Sequence, residues 1–307
     1  MQIQKSTVRH HQRGFTIIEL LVVIGIIVIL TSMLIPALGK AFATAKSTED
    51  KTRLKGIHAA MLLDATGNEG GLPQPTVLAA QYDPAVLEHQ NPTTNTTENL
   101  MSLLIARNYF TTDFIISPVE TNPNIRDINE NDLVYDYDSI DGETILWDEQ
   151  LEDDVSAATA SNPAHNSYAH QALCGQRIRL KWHSGATASD IILSNRGPES
   201  ELDASIFDFE SNTLKFHGNE NTWTGNIVSG DGSVSLADNR FPKGTVYQPL
   251  DGSPVGPDNI FVADWNDFGD ENTLVPMSSG DNWMVICTQV TEDPNSGEVN
   301  EITAVWD

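Results

Sequence analysis

The sequence predicts an α+β protein: one long N-terminal helix, membrane-spanning in its first half, packed against an antiparallel sheet with long loops. Three observations carry this. Residues 15–38 form an apolar run long enough to cross a hydrocarbon core at helical rise. Helical spacing continues beyond it, with Leu54, Ile57, Met61 and Ala65 on one stripe. From residue 133 onward, short apolar runs alternate with turn chemistry, as antiparallel strands do.

The helix comes first. "RGFTIIELLVVIGIIVIL" is apolar from Phe15 to Leu30 except for Thr16, Glu19 and Gly25. A lone carboxylate in lipid costs at least a few kcal/mol, so Glu19 needs a reason. Three basic residues and no acid precede the run (Lys5, Arg9, Arg13). A secretory signal peptide would fit that start, and Ala41-Phe42-Ala43 has the small-x-small form of a cleavage site, but the apolar stretch is too long. An ordinary anchor explains the length and leaves Glu19 unexplained. "ATGNEGGLP" ends the helical pattern near residue 66, so a helix from Phe15 to Asp64 would be roughly 75 Å long. Pro36 lacks an N–H and is expected to kink it.

"RGFTIIELL" resembles the processing motif of type IV prepilins and of the pseudopilins of type II secretion. The resemblance implies a prepilin peptidase that cuts after Gly14, a new N-terminal Phe15 that becomes N-methylated, and Glu19 as the assembly residue five positions after the cut. It also implies a kinking proline at Pro36. Physics gives Glu19 a role: cleavage leaves a cationic amine on Phe15, and an ammonium and a carboxylate that meet in lipid offset each other's desolvation. The implied domains are a leader (1–14), an N-terminal helix (15–66, transmembrane over 15–38) and an acidic globular domain (67–307) outside the cytoplasm. Lys40, Lys46, Lys51, Arg53 and Lys55 follow the span, and a bare count of positive charge would orient it the other way. The processing motif decides the orientation, because its peptidase acts at the cytoplasmic face.

The bulk numbers agree with an exported body. The 307 residues carry 43 acidic and 17 basic side chains, a net charge of −26, with 39% hydrophobic residues. A core is within reach, and nucleic acid and anionic headgroups are repelled. The two cysteines, Cys174 and Cys287, are either a disulfide or two separate buried thiols.

Within the body, residues 67–95 and 118–132 read as loop. "TTENLMSLLIARNYF" reads as a short helix capped by Thr96 or Thr97, with Leu100, Leu103 and Leu104 inward. "TGNIVSGDGSVSLAD" reads as a hairpin about Asp231-Gly232, and "NWMVICTQV" with "EITAVWD" as a second one. "HGNENTWTGNIVSGDGSV" also resembles an element of large-bodied prepilin-like proteins, in which a histidine stands nine residues before an Asp-Gly pair. Here the residues are His217, Asp231 and Gly232, with thirteen residues between histidine and aspartate. The alternative is plain turn geometry.

Chemistry-bearing groups are few. His165, His170, Cys174 and His183 lie close in sequence without a zinc spacing. Asp264, Asp267, Asp270 and Glu271 in "DWNDFGDEN", and Asp136, Asp138, Asp141 and Glu143 in "DYDSIDGE", offer oxygen-only clusters that suit calcium; the alternative is a solvated acidic loop. Six tryptophans scattered among polar segments suit either sugar stacking or the capping of a small core. No G-x-S-x-G elbow or H-E-x-x-H pair marks an enzyme.

The expected protein is a structural pilin-like or pseudopilin-like subunit, not an enzyme. It is anchored once in the inner membrane with its C-terminal domain outside the cytoplasm, at the cell surface or in an extracellular fibre. Its expected partners are the peptidase, copies of itself or other pilin-like subunits, an inner-membrane assembly platform and the lipid bilayer. The alternative is a non-polymerising envelope protein that uses the same route for sorting and binds a ligand or polysaccharide.

Overall fold

The structure, a computed structural model, describes residues 15–82, 94–131, 148, 150–199, 210–217, 221–247, 254–262, 281–292 and 299–306. The chain divides into two compact units, residues 1–45 and 46–307. Helix α1 (Ile17–Ala65) supplies the described part of the first and opens the second. It runs unbroken through Pro36.

In the first unit the apolar side chains from Phe15 to Phe42 are exposed. Among the described residues this is the one helix long and apolar enough to cross a membrane.

In the second unit the expected stripe is buried: Leu54, Ile57, Met61 and Ala65 are at most 1% exposed. They pack on Tyr168, Leu193 and Val228 of the sheet and on Leu100 and Leu104 of a neighbouring helix. That helix, α3 (Thr97–Ala106), is the short one expected from the sequence. Thr96 is its N-cap, its hydroxyl accepting from the Asn99 N–H, and Leu100, Leu103 and Leu104 are buried. Helix α2 (Pro75–Tyr82) lies where a loop was expected. Pro75 takes the first helical position, where a missing N–H costs nothing.

The main sheet has five antiparallel strands in the order β4-β3-β2-β1-β7. Their ranges are β1 Tyr168–Gln171, β2 Ile191–Asn195, β3 Gly225–Ser229, β4 Val234–Ala237 and β7 Met284–Val285. The one-turn helix α4 (Gly175–Leu180) links β1 to β2. Strands β5 (Val246–Tyr247) and β6 (Gly256–Pro257) pair separately, as do β8 (Cys287–Glu292) and β9 (Val299–Ala304). The expected hairpin of "NWMVICTQV" with "EITAVWD" therefore forms only from Cys287 onward; Met284 and Val285 join β1 instead.

A buried relay ties α3 to both sheets. The Nδ1 of His170 faces the Gln171 carbonyl at 2.8 Å, which can only accept, so Nδ1 carries the proton. The Nε2 then accepts from the Thr97 hydroxyl (2.8 Å), and that oxygen accepts from the Cys287 N–H (2.7 Å). Burial lowers His170 to about 4, so the ring stays neutral.

Candidate functional site

The N-terminal segment is built around a reciprocal cap. The Thr16 hydroxyl accepts from the Glu19 N–H (3.2 Å), and Glu19 Oε2 accepts from the Thr16 N–H (2.9 Å) and hydroxyl (2.8 Å). This is a Thr-x-x-Glu capping box that satisfies two orphan donors of the first turn. The spacing was readable in "TIIE" and the sequence reading missed it. Both bonds fall on Oε2; Oε1 takes part in neither. Phe15 is 75% exposed immediately before the helix, and Gly14 lies outside the described residues.

A second polar site sits where α1 crosses the sheet. Asp50 is fully buried. Its carboxylate accepts from Ser117 Oγ, from the Tyr168 hydroxyl (2.9 Å), and from the side-chain amides of Asn195 (3.0 Å) and Asn226 (2.6 Å). Four neutral donors thus hold one carboxylate and join α1 to β1, β2 and β3. Burial and the adjacent Asp50 push the Tyr168 phenol well above its usual range. Nothing in the sequence singles out Asp50, because it sits in a charged stretch that reads as solvated.

The Asp-Gly pair forms the β3–β4 turn as expected. Gly232 has φ +80°, its N–H donates to the Ser229 carbonyl (2.8 Å), and Asp231 Oδ1 accepts from the Ser233 N–H (2.9 Å). The histidine against this turn is His58 of α1, whose Nδ1 lies 3.8 Å from where a Gly232 Cβ would stand. His217 instead has Asp50 and Lys51 as its charged neighbours, and burial lowers its pKa.

The other sequence candidates separate. His165 Nδ1 faces the Arg126 carbonyl (2.8 Å), His183 Nε2 the Leu180 carbonyl (3.0 Å), and His170 is committed to the relay. Among the described residues no three His, Cys, Asp or Glu gather to hold a metal. Cys174 and Cys287 are free thiols in one apolar cluster, each pushed up to about 12 by burial. Asp264, Asp267, Asp270 and Glu271 lie outside the described residues, as do Asp136, Asp138, Asp141 and Glu143. Two tryptophans are core residues: Trp182 and Trp223 are at most 1% exposed, and their indole N–H groups donate to the Pro73 (2.9 Å) and Arg196 (3.0 Å) carbonyls. That excludes them from stacking on a sugar.

Residues 9–35 match the model of the prokaryotic N-terminal methylation motif. The chain carries a prepilin-type N terminus. The match spans Phe15, Glu19 and the first half of α1, including the residues that form the capping box. No curated protein and no solved structure matches the chain.

Proposed function

We propose that this chain is a structural pilin-like subunit, cut after Gly14 by prepilin peptidase and held in the inner membrane by residues 15–38. The globular domain stands outside the cytoplasm, and copies assemble into a secretion pseudopilus or surface fibre. The observation that carries this reading is the methylation motif at the head of a helix whose apolar side chains are all exposed up to Phe42. Such a surface needs lipid or other helices to cover it. Farther along, the same helix is buried in a folded body.

Mass spectrometry of the membrane-extracted protein tests the processing step. The expected N terminus is methylated Phe15, and Gly14→Ala should leave an uncut precursor. A mature chain that begins at Thr44 would establish ordinary signal-peptide cleavage and remove the anchor.

A further inference from the structure

Lys181, the residue that follows α4, is 2% exposed. Nζ lies 2.9 Å from Asn282 Oδ1 and 3.7 Å from Asp190 Oδ1. Asn282, two residues before β7, is fully buried. Its Oδ1 also accepts the Ile191 backbone N–H at 2.9 Å. Its Nδ2 donates to Asp258 Oδ2 (2.7 Å) and to the Ser189 carbonyl (3.2 Å), and its backbone N–H donates to the same Asp258 oxygen (3.0 Å). These neighbours fix the amide orientation: Lys181 and the Ile191 N–H only donate, and the Ser189 carbonyl only accepts.

The electrostatics suit acyl transfer. Burial, then Asp281, raises Asp258 to about 7, so this fully buried carboxyl exchanges a proton near neutrality. Burial lowers Lys181, which brings the neutral amine within reach. The neighbouring Asp281 is paired with the buried Arg177.

We propose that Lys181 and Asn282 become joined by an intramolecular isopeptide bond, formed by the folded chain itself with Asp258 as the proton-transferring catalytic residue. Lys181 reacts as the neutral amine, the form that burial favours, and attacks Cγ of Asn282, one bond beyond the oxygen it already touches. The new N–C bond leaves the electron pair on Oδ1, where the Ile191 N–H stands as an oxyanion donor. Collapse breaks the Cγ–Nδ2 bond. Asp258, in contact with Nδ2, gives its proton to the leaving nitrogen and then takes the surplus proton from the attacking nitrogen, which restores it. One amine and one primary amide become one secondary amide and one ammonia. Nothing is oxidised or reduced, and no co-reactant is consumed. The fold supplies the proximity, and burial keeps out the water that would compete. The product closes residues 181–282 into a covalent ring that encloses β2, β3 and β4, so the central sheet could not be unravelled from the chain end.

Peptide mapping of the full chain, purified in detergent and fully denatured, tests this. The expected tryptic digest contains a branched peptide carrying both Lys181 and Asn282, no cleavage after Lys181, and an intact mass lower by one ammonia than the mature sequence. Two linear peptides, with Lys181 free and Asn282 intact, would overturn the proposal. An ammonia deficit confined to one linear peptide, as a cyclised Asn282, would overturn it as well. Asp258→Ala should shift the digest to the linear peptides while the far-UV spectrum is retained. A fully branched digest in that variant would remove Asp258 from the reaction. If the variant does not fold, the map of the unaltered chain still decides the bond.

Discussion

Asp50 shows how one side chain fixes a helix to a sheet. Each of its oxygens takes two hydrogen bonds from groups that can only donate in those positions, or that already do so. Asp50→Asn keeps the shape but puts an NH2 donor where one carboxylate oxygen accepted two hydrogen bonds. Hydrogen bonds to a charged group contribute about 1.5–3 kcal/mol each, so the variant should lose about 2–3 kcal/mol of stability. Urea unfolding of the body measures this, and an unchanged midpoint would mean that water replaces the lost acceptor. Glu98 makes the opposite case. It stands in the first turn of α3, where the helix dipole and the Thr96 hydroxyl favour its charge, yet burial and Glu152 raise it to about 7. Buried beside it, Asp153 has no hydrogen-bond partner for either oxygen among the described residues, and burial raises it well above its ordinary range. Between the unfolded value near 4.5 and the folded value near 7, the folded state binds more protons. Stability should therefore fall as pH rises through that window. Glu98→Gln should flatten the melting temperature against pH over the same range; an unaltered slope would assign it to other groups.

At the scale of elements, the β3–β4 hairpin separates two uses of glycine. Gly232 needs its positive φ, while a Cβ there would meet only His58 at 3.8 Å, an ordinary contact. Gly232→Ala should cost about 1–2 kcal/mol, the strain of a left-handed alanine. Gly225, at the start of β3, has ordinary φ and no room: its Cβ would fall 2.2 Å from the Trp223 ring. That ring is held by the Arg196 carbonyl and by an edge-on contact with Phe261 at 4.8 Å between centroids. Gly225→Ala should cost about 3 kcal/mol, at the top of the overpacking range. Chemical denaturation of both variants tests the order; a smaller loss at Gly225 would show that Trp223 can swing aside. The hairpin was legible from Asp231-Gly232 and its alternating apolar flanks. The split of "NWMVICTQV" between two sheets was not, because the switch at Ile286 depends on β1 presenting a free edge to Met284 and Val285.

For the whole molecule, Glu19 is the residue whose value lies between copies. Among the described residues of one chain it caps Thr16, and its second oxygen takes no part in that cap. If it pairs with the amine of a neighbouring Phe15, Glu19→Val should strand that ammonium at a cost of about 3–5 kcal/mol per contact. Crosslinks between copies along residues 15–38 should fall while processing and abundance hold. Crosslinking equal to that of the parent chain would put the non-polymerising reading ahead. Loss of abundance would instead assign Glu19 to the cap.

The sequence by itself determined what local pattern and chemistry can determine. Residues 15–38 declare a membrane-length helix through near-continuous apolarity, "RGFTIIE" declares an N-terminal methylation motif through fixed spacing, and Leu54, Ile57, Met61 and Ala65 declare the buried face that follows. Thr96 and Asp231-Gly232 announce a cap and a turn because their bonds close within a few residues. The tertiary structure decided everything whose partners are distant in the chain. Asp50 becomes a hub only when Tyr168, Asn195 and Asn226 arrive from three strands. His58, not His217, meets the Asp-Gly turn because α1 crosses the sheet at that height. Lys181, Asn282 and Asp258 read as an ordinary lysine, asparagine and aspartate until the fold removes water from all three and sets Asn282 within hydrogen-bond reach of both others. Periodicity reports which face is buried; it carries no record of which polar groups will share that burial.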